Sequence, residues 1–164
     1  METMAASLEK PFNIVLVEPE IPPNTGNIAR LCAATGTTLH LVGPLGFSLD
    51  DKHLRRAGLD YWPAVDLRRW PSFADLRRDR PRGRFWFTSK RAEKAYVDVR
   101  FLPGDFLVFG KETEGLPAEL LSASPEFSVR IPLLTPTVRS LNLSSAAAIV
   151  LYEALRQNGL LNST

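Results

Sequence analysis

The chain has 164 residues, and its length, composition and net charge of +2 fit one ordinary globular domain. Hydrophobic residues make up 45% of it and charged residues 23%, which excludes a disordered chain and provides enough apolar side chains for a full core. The longest apolar run, 146–152, is far shorter than the ~20 residues of a membrane-spanning helix. The first residues contain no apolar signal segment. We therefore expect a single domain over residues 1–164, no membrane segment and a cytoplasmic location.

Strand-like apolar runs alternate with helical patterns along the chain. A strand–helix–strand order requires parallel pairing, so the chain is predicted to be an α/β domain with a mostly parallel sheet and helices on both faces. Strands are predicted at 12–17, 39–42, near 64–67, at 84–88, 105–109 and 127–131. Helices are predicted from an Asn24 cap to Gly36, after an Asp50 or Asp51 cap, and at 72–78, 117–123 and 142–157.

Cysteine and histidine are too scarce for a metal centre. Cys32, His40 and His53 are the full set, and a tetrahedral zinc site takes four ligands. We expect no metal. Cys32 lies in an apolar, helix-like stretch, which predicts a buried thiol with no reactive role.

Arginines crowd one part of the chain, with five of them between residues 77 and 84. A basic segment of this kind can neutralise phosphates. On charge alone, a solvated loop is the commoner explanation, so the segment gains weight only if other residues indicate a nucleic acid.

Ligands of such sheets bind beyond the carboxyl ends of the strands, so the segments that follow strands are the candidate sites. The first, NTGNIAR at 24–30, turns Arg30 away from the apolar stripe of its helix, with Gly26 leaving room for a ligand. In the second, at 108–117, Gly110 permits close approach to the backbone. The third, at 131–145, opens the last helix with more polar residues than one cap needs. The common nucleotide-binding glycine motifs are missing.

Together these segments resemble the SPOUT class of RNA methyltransferases, which are knotted α/β enzymes that use S-adenosylmethionine. The class motifs match NTGNIAR, FGKETEGLP and IPL…RSLNLSSAAAIVLYE in order, and the resemblance extends from Phe12 to about Gln157. Within the class, EPEIPPNTGNIARLCAATG and DDKHLRRAGLDYW are similar to the bacterial subfamily that methylates the wobble ribose, of cytidine or 5-modified uridine, in leucine tRNAs.

The resemblance implies a C-terminal deep trefoil knot, S-adenosylmethionine as methyl donor without a metal, and tRNA as partner. It also implies a homodimer through the C-terminal helix, in which the donor pocket of one subunit faces Arg30 of the other. The implied catalytic residues are Arg30, Ser140 and Asn142. The implied donor contacts, several of them through the backbone, are Phe87, Gly110, Ile131, Leu133, Ser140 and Leu141. The candidate RNA contacts are Arg30, Arg82 and Arg84.

The leading hypothesis is therefore methyl transfer to a tRNA ribose 2′-oxygen at the wobble position. One alternative keeps the reaction but moves it to another tRNA position or to ribosomal RNA. Another is a non-catalytic RNA-binding or assembly module that uses the arginines of 77–84. The apolar face of the last helix looks too broad for one side of a small sheet, and it is either pure core or core together with a dimer contact.

Overall fold

Seven parallel strands form one sheet in the computed structural model, which describes residues 10–58 and 61–162. The strand order is β3-β2-β1-β6-β4-β7-β5, and every pairing between named strands is parallel. The strands are β1 Asn13–Val17, β2 Thr38–Val42, β3 Leu67–Trp70, β4 Phe85–Thr88, β5 Lys94–Ala95, β6 Phe106–Phe109 and β7 Ser128–Arg130. The helices are α1 Pro22–Thr35, α2 Lys52–Gly58, α3 Phe73–Asp79, α4 Ala118–Ala123 and α5 Leu143–Gln157.

Hydrophobic clusters cover both faces of the sheet. Along β1, Ile14 and Leu16 join one cluster while Val15 and Val17 join the other, because successive side chains of a strand point to opposite faces. The first cluster includes the buried residues of α1 and α5, and the second includes residues of α3 and α4. The predicted α/β fold with helices on both faces is therefore confirmed.

The start of α1 differs from the prediction. The helix begins at Pro22, with Pro22 and Pro23 in its first turn and Ile21 as the capping residue. Proline suits the first turn because its fixed φ is already helical and its missing N–H would have no helical partner there. Asn24 is therefore not the cap: it lies inside the helix and is buried. The predicted end is confirmed, since Gly36 closes α1 with a φ of 68°.

The third strand was placed too early, and one strand was missed. Ala64, the first residue of the predicted strand, ends a short 3-10 turn, Trp62–Ala64, and β3 begins only at Leu67 and runs to Trp70. Apolar and polar residues do not alternate in its sequence, LRRW. Both arginines are exposed, because β3 lies at the edge of the sheet. The missed strand β5, Lys94–Ala95, has two residues and therefore no periodicity to detect.

The apolar face of α5 packs into the core of the protein. Ala147, Val150, Leu151 and Ala154 are each fully buried in the cluster shared with α1 and β1. These four residues therefore belong to the core in either of the two alternatives left open for this face. Exposed apolar area on the helix lies elsewhere, at Tyr152, which is 42% exposed. No helix in the described ranges is long and apolar enough to cross a membrane.

Cys32 has the buried position that the sequence predicted. Its side chain is 1% exposed, and burial raises the pKa of the thiol to about 12. The thiol is therefore protonated and inert at neutral pH, because the thiolate is the nucleophilic form.

Candidate active site

A cleft of about 670 Å³ opens at the carboxyl edge of the sheet. Its floor follows directly from strand ends, because Thr88 ends β4, Phe109 ends β6 and Ile131 follows β7. Its walls are the first turns of α1 and α5 and the loop 110–115. The three segments selected from the sequence therefore meet in one place, as expected for the carboxyl ends of neighbouring parallel strands.

Loop 110–115 is joined to the start of α1 by one carboxylate. Glu112 accepts hydrogen bonds from the backbone N–H of Glu20 at 2.8 Å and of Ile21 at 3.0 Å. It also accepts one from the Asn24 side chain at 3.1 Å. These amides belong to the capping residue of α1 and the residue before it, so the carboxylate lies at the positive end of the helix dipole and interacts favourably with it. In return, Glu20 accepts hydrogen bonds from the backbone and hydroxyl of Thr113.

Asn142 joins the third segment to this network. Its side-chain N–H donates to the side-chain oxygen of Asn24 at 3.0 Å, while its own oxygen caps α5 by accepting from the N–H groups of Ser144 and Ser145. Asn142 is therefore both a helix cap and a bridge to α1. The sequence predicted the polar cluster at this helix start, but it gave no sign that Asn24 would be its partner.

Gly110 lines the cleft, but its missing side chain serves the loop itself. A Cβ at this position would lie 2.1 Å from the carbonyl carbon of Gly115 and 2.3 Å from the nitrogen of Leu116. The close approach that Gly110 permits is thus to its own chain, which turns back through an antiparallel bridge between Lys111 and Gly115. The expected room for a ligand at this Cβ is corrected accordingly.

The same correction applies to Gly26. A Cβ there would lie 2.4 Å from the Cβ of Ala57 and 2.9 Å from the carbonyl oxygen of Leu54. The space beside Gly26 is therefore filled by α2, which packs directly on α1. The prediction of a ligand space beside this glycine was wrong.

Most of the predicted donor-binding and catalytic residues line the cleft. The set comprises Gly110, Ile131, Leu133, Ser140, Leu141 and Asn142. Phe87 does not line it, because its side chain is fully buried in the cluster against α3 and α4. The next residue, Thr88, does line it, and its hydroxyl is buried without a hydrogen-bond partner among residues 10–58 and 61–162.

A buried polar atom without a partner is costly unless a ligand or a water molecule satisfies it. Thr88 therefore supplies an unused hydrogen-bonding group to a cleft that already combines apolar and polar walls, namely Ile131 and Leu133 beside Ser140 and Asn142. A nucleoside with an attached amino acid offers both kinds of surface. These residues fit a methyl donor such as S-adenosylmethionine.

Arg30 lies apart from the cleft of its own chain. It is exposed on α1 and is not among the residues that line the cleft. Its guanidinium carbon lies 5.1 Å from the centre of the Tyr61 ring. Stacking on one face leaves the N–H groups at the guanidinium edge available to bind a partner such as a phosphate or a hydroxyl oxygen.

Arg84 and Arg82, the predicted RNA contacts, lie at the opposite end of β4 from the cleft. Arg84 donates to the Asp105 carboxylate at 2.8 Å and 3.2 Å and to the Arg100 carbonyl at 3.0 Å. Asp105 is nearly buried, at 2% exposed, so Arg84 has a structural role that the sequence did not predict. Arg82 is exposed in the turn before β4.

An all-parallel α/β sheet with a ligand cleft at its carboxyl edge defines the class of fold. Residues 11–152 match the SpoU rRNA Methylase family, and the chain belongs to this family. The SPOUT resemblance is confirmed by this match.

Individual relatives and solved structures are also similar to this chain. The chain is 52% identical over 156 residues to a tRNA (cytidine(34)-2'-O)-methyltransferase of Polaromonas sp., across 93% of this chain and 94% of the relative. It is 53% identical over 152 residues to the Burkholderia cenocepacia enzyme of the same name, across 90% and 96%.

A structure described as giving insights into the 2-OH methylation of C/U34 on tRNA superimposes with a TM-score of 0.86 at 48% identity, covering 90% of this chain and 96% of that one. An AdoMet-bound rRNA methyltransferase from Sinorhizobium meliloti superimposes with a TM-score of 0.82 at 27% identity, covering 94% and 58%.

Proposed function

We propose that this protein methylates the ribose 2′-hydroxyl of nucleotide 34 in tRNA, with S-adenosylmethionine as donor. The enzyme class is a tRNA 2′-O-methyltransferase, since relatives that are more than 50% identical over nearly their full length have that name. The substrates that we propose within this class are leucine tRNAs with cytidine or a 5-modified uridine at the wobble position.

The observation that carries the proposal is the meeting of three distant segments in one cleft. Glu112, Asn24 and Asn142 are joined by hydrogen bonds of 3.1 Å and 3.0 Å across 88 and 118 residues of sequence. Such a network fixes the relative positions of the cleft walls, and a preorganised site of this kind lowers the cost of orienting two substrates.

The donor-binding residues in the proposal are those of the cleft, with Phe87 contributing through its backbone beside Thr88. When bound, S-adenosylmethionine supplies an electrophilic methyl group on a sulfonium sulfur. Ser140 and Asn142 would position the reacting groups by hydrogen bonding. Arg30 would stabilise the negative charge that develops on the 2′-oxygen, because a guanidinium stays protonated and so cannot act as the base.

A homodimer built on α5 completes the proposed site. Arg30 follows Asn24 by six residues, about 9 Å along α1, and it does not line the cleft of its own chain. In the dimer, Arg30 of the partner subunit would face the cleft, giving two composite sites related by a two-fold axis. The proposal also includes a trefoil knot, in which the segment between β7 and α5 is threaded through a loop of the chain.

The decisive experiment is methylation of total tRNA from a strain that lacks its own wobble methyltransferase, followed by mapping of the modified nucleotide. A 2′-O-methyl group at nucleotide 34 of leucine tRNAs is the expected result. A methyl group at another tRNA position, or only on ribosomal RNA, would contradict the proposed target. Failure to bind S-adenosylmethionine by calorimetry would instead indicate a non-catalytic RNA-binding module.

A further inference from the structure

The mouth of the cleft carries three cations that belong to no element of the network described above. Lys90 and Arg91 lie on the turn after β4, and Arg139 lies on the segment before α5. All three are exposed residues that line the cleft. Two loops, separated by nearly 50 residues of sequence, therefore present positive charge to the same opening.

These cations differ from the arginines of the predicted RNA segment in what surrounds them. Within residues 10–58 and 61–162, Lys90, Arg91 and Arg139 form no ion pair with a carboxylate. Several arginines near β3, α3 and β4 are instead paired internally. The pairs are Arg68–Asp66, Arg78–Asp75, Arg80–Asp79 and Arg84–Asp105.

Internal pairing matters because a phosphate has to compete with the carboxylate that already holds the guanidinium. Three of the five arginines at 77–84 are paired in this way, so the run attracts a polyanion less than its sequence indicates. At the cleft, Lys111 is paired with Glu18, and Glu112 is committed to the start of α1. Among the described residues, Glu114 is the lining carboxylate without such a partner, so positive charge predominates there.

The turn that carries Lys90 and Arg91 is held in a fixed conformation. Ser89 donates its backbone N–H to the Val129 carbonyl at 2.9 Å, and its hydroxyl accepts from the Arg91 N–H at 3.1 Å. From β7, Arg130 donates to the carbonyls of Ala92 and Glu93. The backbone that carries these two exposed cations is already ordered by hydrogen bonds within the fold. A ligand that binds there loses little affinity to the conformational entropy of this turn.

We propose that Lys90, Arg91 and Arg139 bind the phosphates that flank the target nucleotide, and that the arginines at 77–84 contribute little to RNA affinity. This inference rests on the proposed function, because it names the RNA contacts of the same site. Phosphate contacts of this kind fix the register of the RNA without reading its sequence. The cations would therefore hold the ribose of the target nucleotide at the cleft whichever base it carries.

The test compares two triple variants with equal change of charge. K90A/R91A/R139A removes the cleft cations, and R77A/R78A/R82A removes three exposed arginines of the 77–84 segment. Binding of an anticodon stem-loop RNA is measured over a range of salt concentrations, and S-adenosylmethionine binding is measured by calorimetry. Melting temperatures establish that both variants are folded.

The cleft variant is expected to bind RNA at least tenfold more weakly at low salt. Its plot of log K against log salt should be shallower by about 0.7 for each phosphate of a single-stranded loop that the variant no longer binds. Its donor affinity and the RNA affinity of the 77–84 variant should match the wild type. Unchanged RNA binding by the cleft variant, or an equal decrease in both variants, would overturn the inference.

A fall in donor affinity in the cleft variant would also overturn it, because the cations would then hold the carboxylate of the methyl donor. These results are distinct from failure of the proposed function. In that case the wild-type protein itself would leave nucleotide 34 unmethylated.

Discussion

The side-chain amide of Asn142 donates a 3.0 Å hydrogen bond to the side-chain oxygen of Asn24, 118 residues earlier in the chain. The same Asn24 amide donates to Glu112 at 3.1 Å. Donor and acceptor are fixed in both hydrogen bonds, because Glu112 is a carboxylate and can only accept. Asn24 must therefore present its nitrogen to Glu112 and its oxygen to Asn142.

This orientation leads to a prediction for Asn142→Asp. The new carboxylate still accepts the Ser144 and Ser145 N–H groups, so the cap of α5 is retained. However, the second carboxylate oxygen cannot donate to the side-chain oxygen of Asn24, so the hydrogen bond between residues 142 and 24 is lost. We expect S-adenosylmethionine affinity to fall about tenfold, which corresponds to about 1.4 kcal/mol, with a smaller decrease in helix stability. Calorimetry and urea unfolding measure the two effects.

Ser144→Ala is the matched control, because the Ser144 hydroxyl also donates to the Asn142 oxygen but takes no part in the bridge. We expect its donor affinity to stay within twofold of the wild type. Equal decreases in both variants would show that the bridge to Asn24 has no special part in shaping the cleft.

Glu112 should contribute to stability as well as to the site. Glu112→Ala leaves the N–H groups of Glu20 and Ile21 without their acceptor, so we expect a decrease of about 1–3 kcal/mol in the free energy of unfolding. Glu112→Gln keeps one acceptor and should be less destabilised. Glu114→Gln, in the same loop and exposed, is the control. Urea unfolding curves with the same midpoint for Glu112→Ala and the wild type would contradict this role.

The two glycines that bracket loop 110–115 should respond differently to substitution. Gly110 has no space for a Cβ, whereas Gly115 has nothing within 4 Å of one but a φ of +72°. Gly110→Ala should therefore be destabilised by about 1–3 kcal/mol through overpacking, with a distorted cleft. Gly115→Asn should be nearly neutral, since asparagine tolerates positive φ. Thermal unfolding and donor binding measure the two effects. A Gly110→Ala variant with the stability and donor affinity of the wild type would contradict the prediction.

Stability should fall as the pH drops through the range in which an unfolded histidine titrates. Burial lowers the pKa of His40 to about 4, and the charges of Arg80 and Arg68 contribute to this decrease. The neutral ring accepts from the Trp70 N–H at 3.0 Å and donates to Asn13 at 3.0 Å. The unfolded chain binds a proton below about pH 6.5 while the folded chain does not, so the contribution of His40 is complete above that pH.

Between about pH 6.5 and pH 4, this contribution should decline by up to about 1.4 kcal/mol per pH unit. Denaturant unfolding at several pH values measures the slope. The variant His40→Gln should show a flatter dependence from about pH 6.5 to about pH 5, whereas His53→Gln, at an exposed position, should keep the wild-type slope. A slope that survives removal of His40 would assign the effect to other groups.

Two inactive variants should restore activity if the proposed sites are shared between subunits. Arg30→Ala and Gly110→Arg, whose side chain has no room in loop 110–115, are co-refolded, and half of randomly assembled dimers are mixed. Each mixed dimer has one site with both changes and one with neither, so activity should return to about a quarter of the wild type by this counting. No recovery, with mixed dimers detected by native mass spectrometry, would place each site within one subunit.

Elements with a strong local signal could be predicted from the residue pattern alone. The run FNIVLV predicted β1, Gly36 marked the end of α1, and the helix predicted at 72–78 is α3. It also identified the segments that follow strands as candidate sites, because in a parallel sheet the carboxyl ends share one edge. Apolar periodicity and caps depend on neighbouring residues, which is why one sequence suffices to detect them.

The partners of the candidate site residues could be identified only from the folded protein. Gly26 and Gly110 looked like space for a ligand, yet Ala57 and the Gly115–Leu116 peptide occupy that space. Arg84 looked free for RNA, yet it holds Asp105. Ala57 and Asp105 lie 31 and 21 residues from their partners, and the Gly115–Leu116 peptide reaches Gly110 only because the loop folds back on itself. No local pattern encodes these contacts, since sterics and ion pairing depend on distances in space. The role of Asn24 in the site was equally hidden in the sequence, because it depends on the meeting of α1, loop 110–115 and α5 in the folded protein.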